Sequence, residues 1–282
     1  MPVQIHAWVD GRLVDPDEPS VPALDHAVTV GDAAFETLKV EDGRAFARSR
    51  HLRRLERTLA GLGLPPPDPA RVDEGCAAVL AAGAPLEFGR LRYTVTGGAG
   101  PLGSDRGSSP LRYIVTAGPQ LRPPATATIA TVPWVRNERS ATAGLKTTSY
   151  AENVVALAYA KERGAIEAIF GNTRDELCEG TGTNIVLVRD GRLVTPPLTS
   201  GCLAGVTREL ALEWARESGL EVREEAVPMS SAHEADEVFI TSSTKDVLPV
   251  ARWDEVTYAA PGPVTARVAE VFAKLAGERL DP

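Results

Sequence analysis

This sequence predicts an α+β protein built as two domains, and three observations carry the prediction. Strand-like alternation outnumbers helical periodicity along the 282 residues, and several strands arrive as hairpins. Asp-Gly pairs at 10–11, 42–43 and 190–191 sit between short apolar runs, a strong short-range hairpin signal. The proline-rich stretch 118–125 separates halves of different texture and reads as a stiff interdomain linker. The expected division is an N-terminal domain over 1–117 and a C-terminal domain over 126–282.

The elements follow in order. IHAWV and RLV flank Asp10-Gly11, and FETLKV and RAFA flank Asp42-Gly43, giving two hairpins. Ser49 reads as the N-cap of a helix whose Leu52, Leu55, Leu59 and Leu62 share one face. Gly61, Gly63 and Pro65 to Pro67 end it, and a second helix is expected from Val72 to Ala81. RLRYTVT and LRYIVTA alternate as antiparallel partners. Beyond the linker, ATIATVP, IEAIF, TNIVLV, RLVT, EVFITSS and VLPVARW read as strands. Helices are expected over 151–163, 207–217 and about 264–275.

Composition excludes several classes. A formal charge of −8 argues against a general nucleic-acid binder, which needs a basic footprint. No apolar run approaches the roughly 18–20 residues of a membrane span, and the opening MPVQIHAWVDGRLVD has no basic n-region leading into an apolar stretch. Three scattered cysteines cannot make a disulfide framework, so a cytoplasmic location is expected. Four histidines without ligand spacing give no metal site.

Two motifs tempt and fail. Gly98 to Gly103 satisfies G-x-G-x-x-G, but the segment runs on into SDRGSSP with no helix to receive a pyrophosphate. Gly144-Leu145-Lys146-Thr147 echoes the end of a phosphate loop without its leading glycine.

The chemistry gathers elsewhere. Lys146 stands among small and hydroxylated residues between a strand and a helix, where it is either an exposed lysine or a nucleophile for Schiff-base chemistry. Glu179, in CEGTGTN, is either a solvated acid at a turn or a buried carboxylate facing a cationic group. Leu203-Ala204-Gly205-Val206-Thr207 precedes a helix, whose first N–H groups can hold an anion. Arg48, Arg50, Arg53, Arg54 and Arg57 crowd one helix, and one turned inward would clamp a phosphate. Hydroxyls cluster at Thr241 to Thr244. A lysine, an acid and three contributors to a phosphate cup are the set pyridoxal 5′-phosphate requires.

In this order these segments, from VGDAAFETLKV at residue 30 to TSSTKDVLPV at 250, resemble the fold-type IV pyridoxal-phosphate enzymes. The resemblance is nearest to D-amino-acid aminotransferases and aminodeoxychorismate lyases. It implies a two-domain α+β protomer with the cofactor between the domains, and a homodimer. It makes Lys146 the Schiff-base lysine and mover of the substrate Cα proton, with Glu179 opposite the pyridine nitrogen. Arg54 in HLRRL, Val206, Thr207 with Gly205, and Ser243 or Thr244 become the phosphate ligands. Leu203 packs on the ring, and Tyr150 approaches the ring hydroxyl. Phe35, Thr37 and Lys39 resemble the substrate-facing strand of the D-amino-acid enzymes, with Lys39 helping to hold a carboxylate. Their Arg-x-His carboxylate trap is missing: Leu102-Gly103-Ser104 stands there, with Arg106 as the possible substitute. The implied activity is transamination from an amino acid, first a D-amino acid and then an (R)-amine, to a 2-oxo acid such as pyruvate or 2-oxoglutarate. Aminodeoxychorismate lyase, branched-chain transaminase and a silent cofactor-binding homologue are the alternatives.

Overall fold

The computed structural model describes Ile5 to Pro282. The chain divides into two compact units. Unit 1 comprises residues up to Arg122, together with Leu145–Tyr150 and Leu280–Pro282; unit 2 comprises Pro123–Gly144 and Ala151–Arg279.

Unit 1 opens with the hairpin of β1 (His6–Val9) and β2 (Arg12–Val14), in which Trp8 pairs with Leu13. Both turn residues, Asp10 and Gly11, take positive φ (47° and 100°), the backbone that a two-residue hairpin turn demands. The short helix α1 (His26–Thr29) leads to the long strand β3 (Ala33–Glu41) and its hairpin partner β4 (Arg44–Ala45). Then come α2 (Arg48–Gly61), α3 (Pro69–Ala81), β5 (Phe88–Thr96) and β6 (Arg112–Pro119). The strands form an antiparallel sheet in the order β2-β1-β6-β5-β3-β4.

Period-two alternation decides what this sheet presents on each face. Leu38 and Val40 of β3, with Leu91, Tyr93 and Val95 of β5, join Leu55, Leu59, Val72 and Val79 of the helices in one buried core. Phe35, Thr37 and Lys39 alternate with those core residues, as do Arg90, Arg92 and Thr94, so both triplets face the other way.

Two helix starts differ from expectation. Ala47, in the left-handed conformation (φ 56°), caps α2, and Ser49 lies inside its first turn. The capping acid comes from far along the chain: Asp281 accepts from Ser49 N at 2.8 Å and Ser49 Oγ at 2.5 Å. A carboxylate there satisfies an orphan N–H and complements the helix dipole. Helix α3 begins three residues before Val72, because Asp68 accepts from Ala70 N at 2.9 Å and Pro69 suits the first helical position.

Unit 2 contains β7 (Ala127–Arg136), α4 (Ala151–Glu162), β8 (Glu167–Asn172), β9 (Leu177–Gly180), β10 (Asn184–Arg189) and β11 (Arg192–Thr195). There follow α5 (Val206–Glu217), β12 (Val222–Glu224), α6 (Met229–Ala232), β13 (Glu237–Ser242), β14 (Asp246–Trp253), β15 (Val256–Thr257) and α7 (Pro263–Glu278). The sheet order is β12-β11-β10-β13-β14-β7-β8-β9, with β15 added on β14. Ile129, Ile169, Ile185, Leu187, Ile240, Val250 and Trp253 form its core. Trp214 of α5 packs on Phe272 of α7 with ring centroids 5.0 Å apart.

The first break between units, after Arg122, lies inside the 118–125 stretch. Segment 145–150, assigned from sequence to the C-terminal domain, packs with unit 1 instead. Backbone pairing is the reason: Phe35 N donates to Lys146 O at 3.0 Å and Thr148 N to Ala33 O at 2.9 Å, laying the segment along β3. Among the described residues no helix is long and apolar enough to cross a membrane.

Candidate active site

In unit 1 the site grows from the β3 edge. Pairing with β3 fixes the Lys146 backbone, and Lys146 N also donates to Thr58 Oγ1 of α2 at 3.4 Å. Gly61, one turn further along α2, leaves space for Leu145; a Cβ there would press on Leu145 Cδ2 at 2.7 Å. The Lys146 ammonium lies 4.3 Å from the Phe35 ring centroid and 3.4 Å from Tyr150 Oη. Tyr150 meets Phe35 edge-on with centroids 5.1 Å apart, so two aromatics and the lysine form one cluster.

Arg92 joins this cluster from β5, its guanidinium 3.7 Å from the Phe35 centroid. Burial pulls its pKa below the ordinary arginine value, and Thr94 Oγ1 accepts from its Nε at 3.3 Å. Lys39, two pleats from Phe35 on the same face, is buried; its Nζ lies 3.6 Å from Glu41 and 5.2 Å from the Phe46 centroid. Thr37 lies between them, half-buried.

The neighbouring residue in sequence points the other way. Glu36 faces the helices, where Arg54 grips its carboxylate through Nε at 2.8 Å and Nη2 at 2.6 Å, and His51 Nδ1 lies 2.6 Å away. All three are buried. Burial alone would raise the Glu36 pKa, but the charges and hydrogen bonds of Arg54, then His51, hold it at about 2. Burial, with the Arg54 and Lys146 charges, lowers the His51 pKa against the pull of Glu36, so His51 is neutral and Nδ1–H donates. Arg54, expected to turn inward, does so, with two of its three nitrogens on Glu36.

Arg106 has a different fate from the one its position suggested. Its Nε and Nη2 each reach an Asp32 oxygen at 2.7 Å, and Leu62 O and Gly63 O accept from Nη2 and Nη1 at 2.7 and 3.2 Å. A guanidinium so engaged is a latch for its loop, not a carboxylate trap. Leu102, Gly103 and Ser104 are exposed in that same loop, which has no helix after Gly103.

In unit 2, Glu179 stands on β9, a strand the sequence reading did not resolve, and its side chain is only 13% exposed. Its Oε2 accepts from Leu203 N at 2.9 Å, and Arg136 Nε lies 3.5 Å from Oε1. Burial and the Glu179 charge raise the pKa values of Cys178 and Cys202, the latter to about 11, so both flank the acid as thiols.

From Leu203 the chain runs to Gly205, the N-cap of α5, and then to Val206 and Thr207 in its first turn, both buried. Their N–H groups have no partner within the helix. Asn184 of β10 donates to Leu203 O at 2.8 Å, and a Cβ on Gly205 would overlap Asn184 Oδ1. Close backbone approach is what glycine permits here. Thr241 of β13 lies directly across from Asn184, and Ser243 and Thr244 follow in the half-buried turn into β14. The buried hydroxyls of Thr183 and Thr241 have no hydrogen-bond partner among the described residues. A helix start with its side-chain-free cap, orphaned hydroxyls and a held carboxylate fit a ligand with a phosphate at one end and a ring nitrogen at the other. Gly205→Ala is expected to weaken pyridoxal-phosphate binding at least tenfold while the far-ultraviolet dichroism stays unchanged, measured by titrating apoprotein with cofactor.

The structure thus brings Lys146, Tyr150, Phe35, Thr37 and Lys39 to one region of unit 1, and Glu179, Leu203, Gly205, Val206 and Thr207 to one region of unit 2. Sequence reasoning missed Arg92, Glu36, His51, Asn184 and Arg136. Only Arg92 carried a signal: in RLRYTVT it alternates with core residues, as Lys39 does in FETLKV.

Residues 33–253 match the amino-transferase class IV family. A D-alanine aminotransferase from Bacillus licheniformis is 30% identical over 277 residues, covering 92% of this chain and 93% of that protein. The crystal structure of a branched-chain aminotransferase from Thermoproteus uzoniensis with norvaline has a TM-score of 0.88 at 27% identity, covering 96% of this chain and 94% of that one. A hypothetical aminotransferase from Mycobacterium tuberculosis, in a form with alpha-ketoglutarate and PMP bound, has a TM-score of 0.84 at 27% identity, covering 97% and 100%. The family match takes in both the segment bearing Lys146 and the strand bearing Glu179, and this chain therefore belongs to the class IV aminotransferases, enzymes that work with pyridoxal 5′-phosphate.

Proposed function

We propose that this aminotransferase moves an amino group from a D-amino acid to a 2-oxo acid such as pyruvate or 2-oxoglutarate, with simple (R)-amines as secondary donors. The observation that carries the reading is the shared face of Phe35, Thr37 and Lys39 beside Lys146, with Arg92 stacked on Phe35. Two buried or half-buried cations on that face supply the carboxylate recognition that Leu102-Gly103-Ser104 cannot.

Bound pyridoxal 5′-phosphate supplies an electron sink conjugated with the substrate Cα. Glu179, its Oε2 fixed by Leu203 N–H, holds a proton at the ring nitrogen. Val206 and Thr207 N–H groups, the Thr207, Ser243 and Thr244 hydroxyls and Arg54 hold the phosphate, and the Leu203 side chain packs on the ring. Lys146 Nζ removes the Cα proton as a general base and returns it as a general acid two atoms along, at the carbon beyond the substrate nitrogen. Tyr150 Oη, 3.4 Å from Nζ, orients that amine. Lys39 and Arg92 hold the substrate carboxylate, and Phe35 walls the side chain. The protein acts as a cytoplasmic homodimer on this reading, and its three buried free thiols suit a reducing compartment.

The engagement of Arg106 by Asp32 favours a second reading, transamination of branched-chain L-amino acids, because it leaves no trap of the D-amino-acid type in that loop. A norvaline-bound relative supports it. The test is a set of half-reactions followed by absorbance, with D-alanine, L-leucine and (R)-1-phenylethylamine added singly to the cofactor-loaded protein. Loss of the visible band with D-alanine at the lowest concentration supports the first reading, and with L-leucine the second. A band that no donor moves points to aminodeoxychorismate lyase chemistry or a silent homologue.

A further inference from the structure

We propose that Arg136 is a positioning residue for this reaction, fixing the charge and the direction of the Glu179 carboxylate without itself touching substrate. The inference rests on the reading of Glu179 as the partner of the cofactor ring nitrogen.

The placement of Arg136 is built into the sheet. β7 and β8 run parallel, but their register shifts between Thr131 and Val135, so that Arg136 pairs with Asn172. Such an irregularity re-aims the side chains that follow it. The Arg136 guanidinium lies 4.1 Å from the Phe170 ring centroid, and Phe170, fully buried, is the direct cross-strand partner of Glu179. Ring and carboxylate thus share one face of β8 and β9, and the arginine covers both.

The rest of the guanidinium is held independently. Nη1 donates to Glu152, and Nη2 to Asn153 Oδ1 at 3.1 Å. Asn153 in turn donates to Thr181 O at 2.5 Å, two residues beyond Glu179. Nε is buried and has no hydrogen-bond partner among the described residues, with Glu179 Oε1 the anion beside it at 3.5 Å.

Charge gives this geometry its consequence. A cation within about 4–6 Å of a carboxylate favours its charged form, and Arg136 Nε stands 3.5 Å from Glu179 Oε1. The neutral acid cannot accept and hold a ring-nitrogen proton. Leu203 N–H holds one oxygen and the Arg136 charge stands beside the other.

The experiment is a titration of apoprotein with pyridoxal 5′-phosphate, read by the visible band and by tryptophan fluorescence. The variants are R136K, R136M, E179Q and R136M/E179Q beside the wild type, with melting curves for each. R136M is expected to weaken binding on the order of tenfold, within the range for directly coupled residues. R136K should recover most of that loss by restoring the charge. On the E179Q background R136M should add nothing, because the residue through which it acts is already neutral. An equal loss on both backgrounds, or no loss on either, overturns the proposal. Should R136M not fold, R136Q takes its place in the same cycle. A wild-type protein that develops no band and no quenching fails differently: it removes the Glu179 reading itself.

Discussion

Lys146→Ala is expected to reduce turnover with every donor to background, a loss of at least about 10²–10⁴-fold, the contribution of a positioned general acid–base group. Tyr150 Oη lies 3.4 Å from Nζ, but a phenol is not a base of comparable strength near neutral pH. The cations on the same face, Arg92 and Lys39, are proposed above for the substrate carboxylate. The backbone at 146 is kept by pairing with β3 and does not depend on the side chain, so the variant should fold. Steady-state rates, together with the visible spectrum of the cofactor-loaded variant, check this. Retained turnover with a wild-type spectrum would remove Lys146 from the reaction.

The second large effect concerns stability. Glu36→Ala leaves Arg54 and His51 buried without their anion, and removing one partner of a buried pair costs roughly 3–5 kcal/mol. A melting midpoint lower by on the order of 10 °C follows. The pH dependence has a definite sign. The unfolded chain takes a proton on Glu36 near 4.5, whereas the folded protein resists until about 2. Between those values the unfolded state binds more protons, so stability is complete above the window and drains away as pH falls through it. His51 acts in the same direction: its folded value lies below 6.5, so the unfolded chain protonates first and stability starts to decline below that pH. Urea unfolding at pH 7, 5 and 3 should therefore show a steep acid loss in the wild type and a shallower one in Glu36→Gln. Equal slopes would mean that the pair carries no pH-dependent stability.

Much of the architecture was legible because it was local. The Asp-Gly turns, the leucine stripe of α2 and the alternation of β5 and β6 each state their conformation within a dozen residues. What escaped was set by distant partners. Ser49 is a good capping residue, yet the α2 start is completed by Asp281, more than two hundred positions on. Strand β9 escaped because LCEG is too short and mixed to show a period, and pairing of Phe170 with Glu179 defines it. The surroundings of Lys146 and Glu179 left each open between a bland and a functional reading, and only the order of motifs shared with the fold-type IV enzymes singled them out. Glu36 was not legible, since FETLKV gives no hint that one side chain of the strand turns toward an arginine and a histidine of α2. Arg106 shows the converse: its position invited a substrate role, and only the bidentate contact with Asp32 reveals a structural one.

The way unit 1 is assembled has a consequence for how the protein is made. Its sheet and helices are encoded before residue 123, but the strip alongside β3 comes from 145–150 and the cap of α2 from 280–282. A ribosome emitting about 5–20 residues per second therefore leaves α2 uncapped for roughly 10 to 30 seconds after Arg122 has been added. For the first ~1–6 seconds of that interval, until 145–150 are added, the nascent sheet exposes the β3 edge beside Phe35, an apolar strand waiting for a partner. Crowded polysomes place identical edges close together, so this is the stage at which chaperone capture, or slow codons that separate neighbouring ribosomes, would most affect yield.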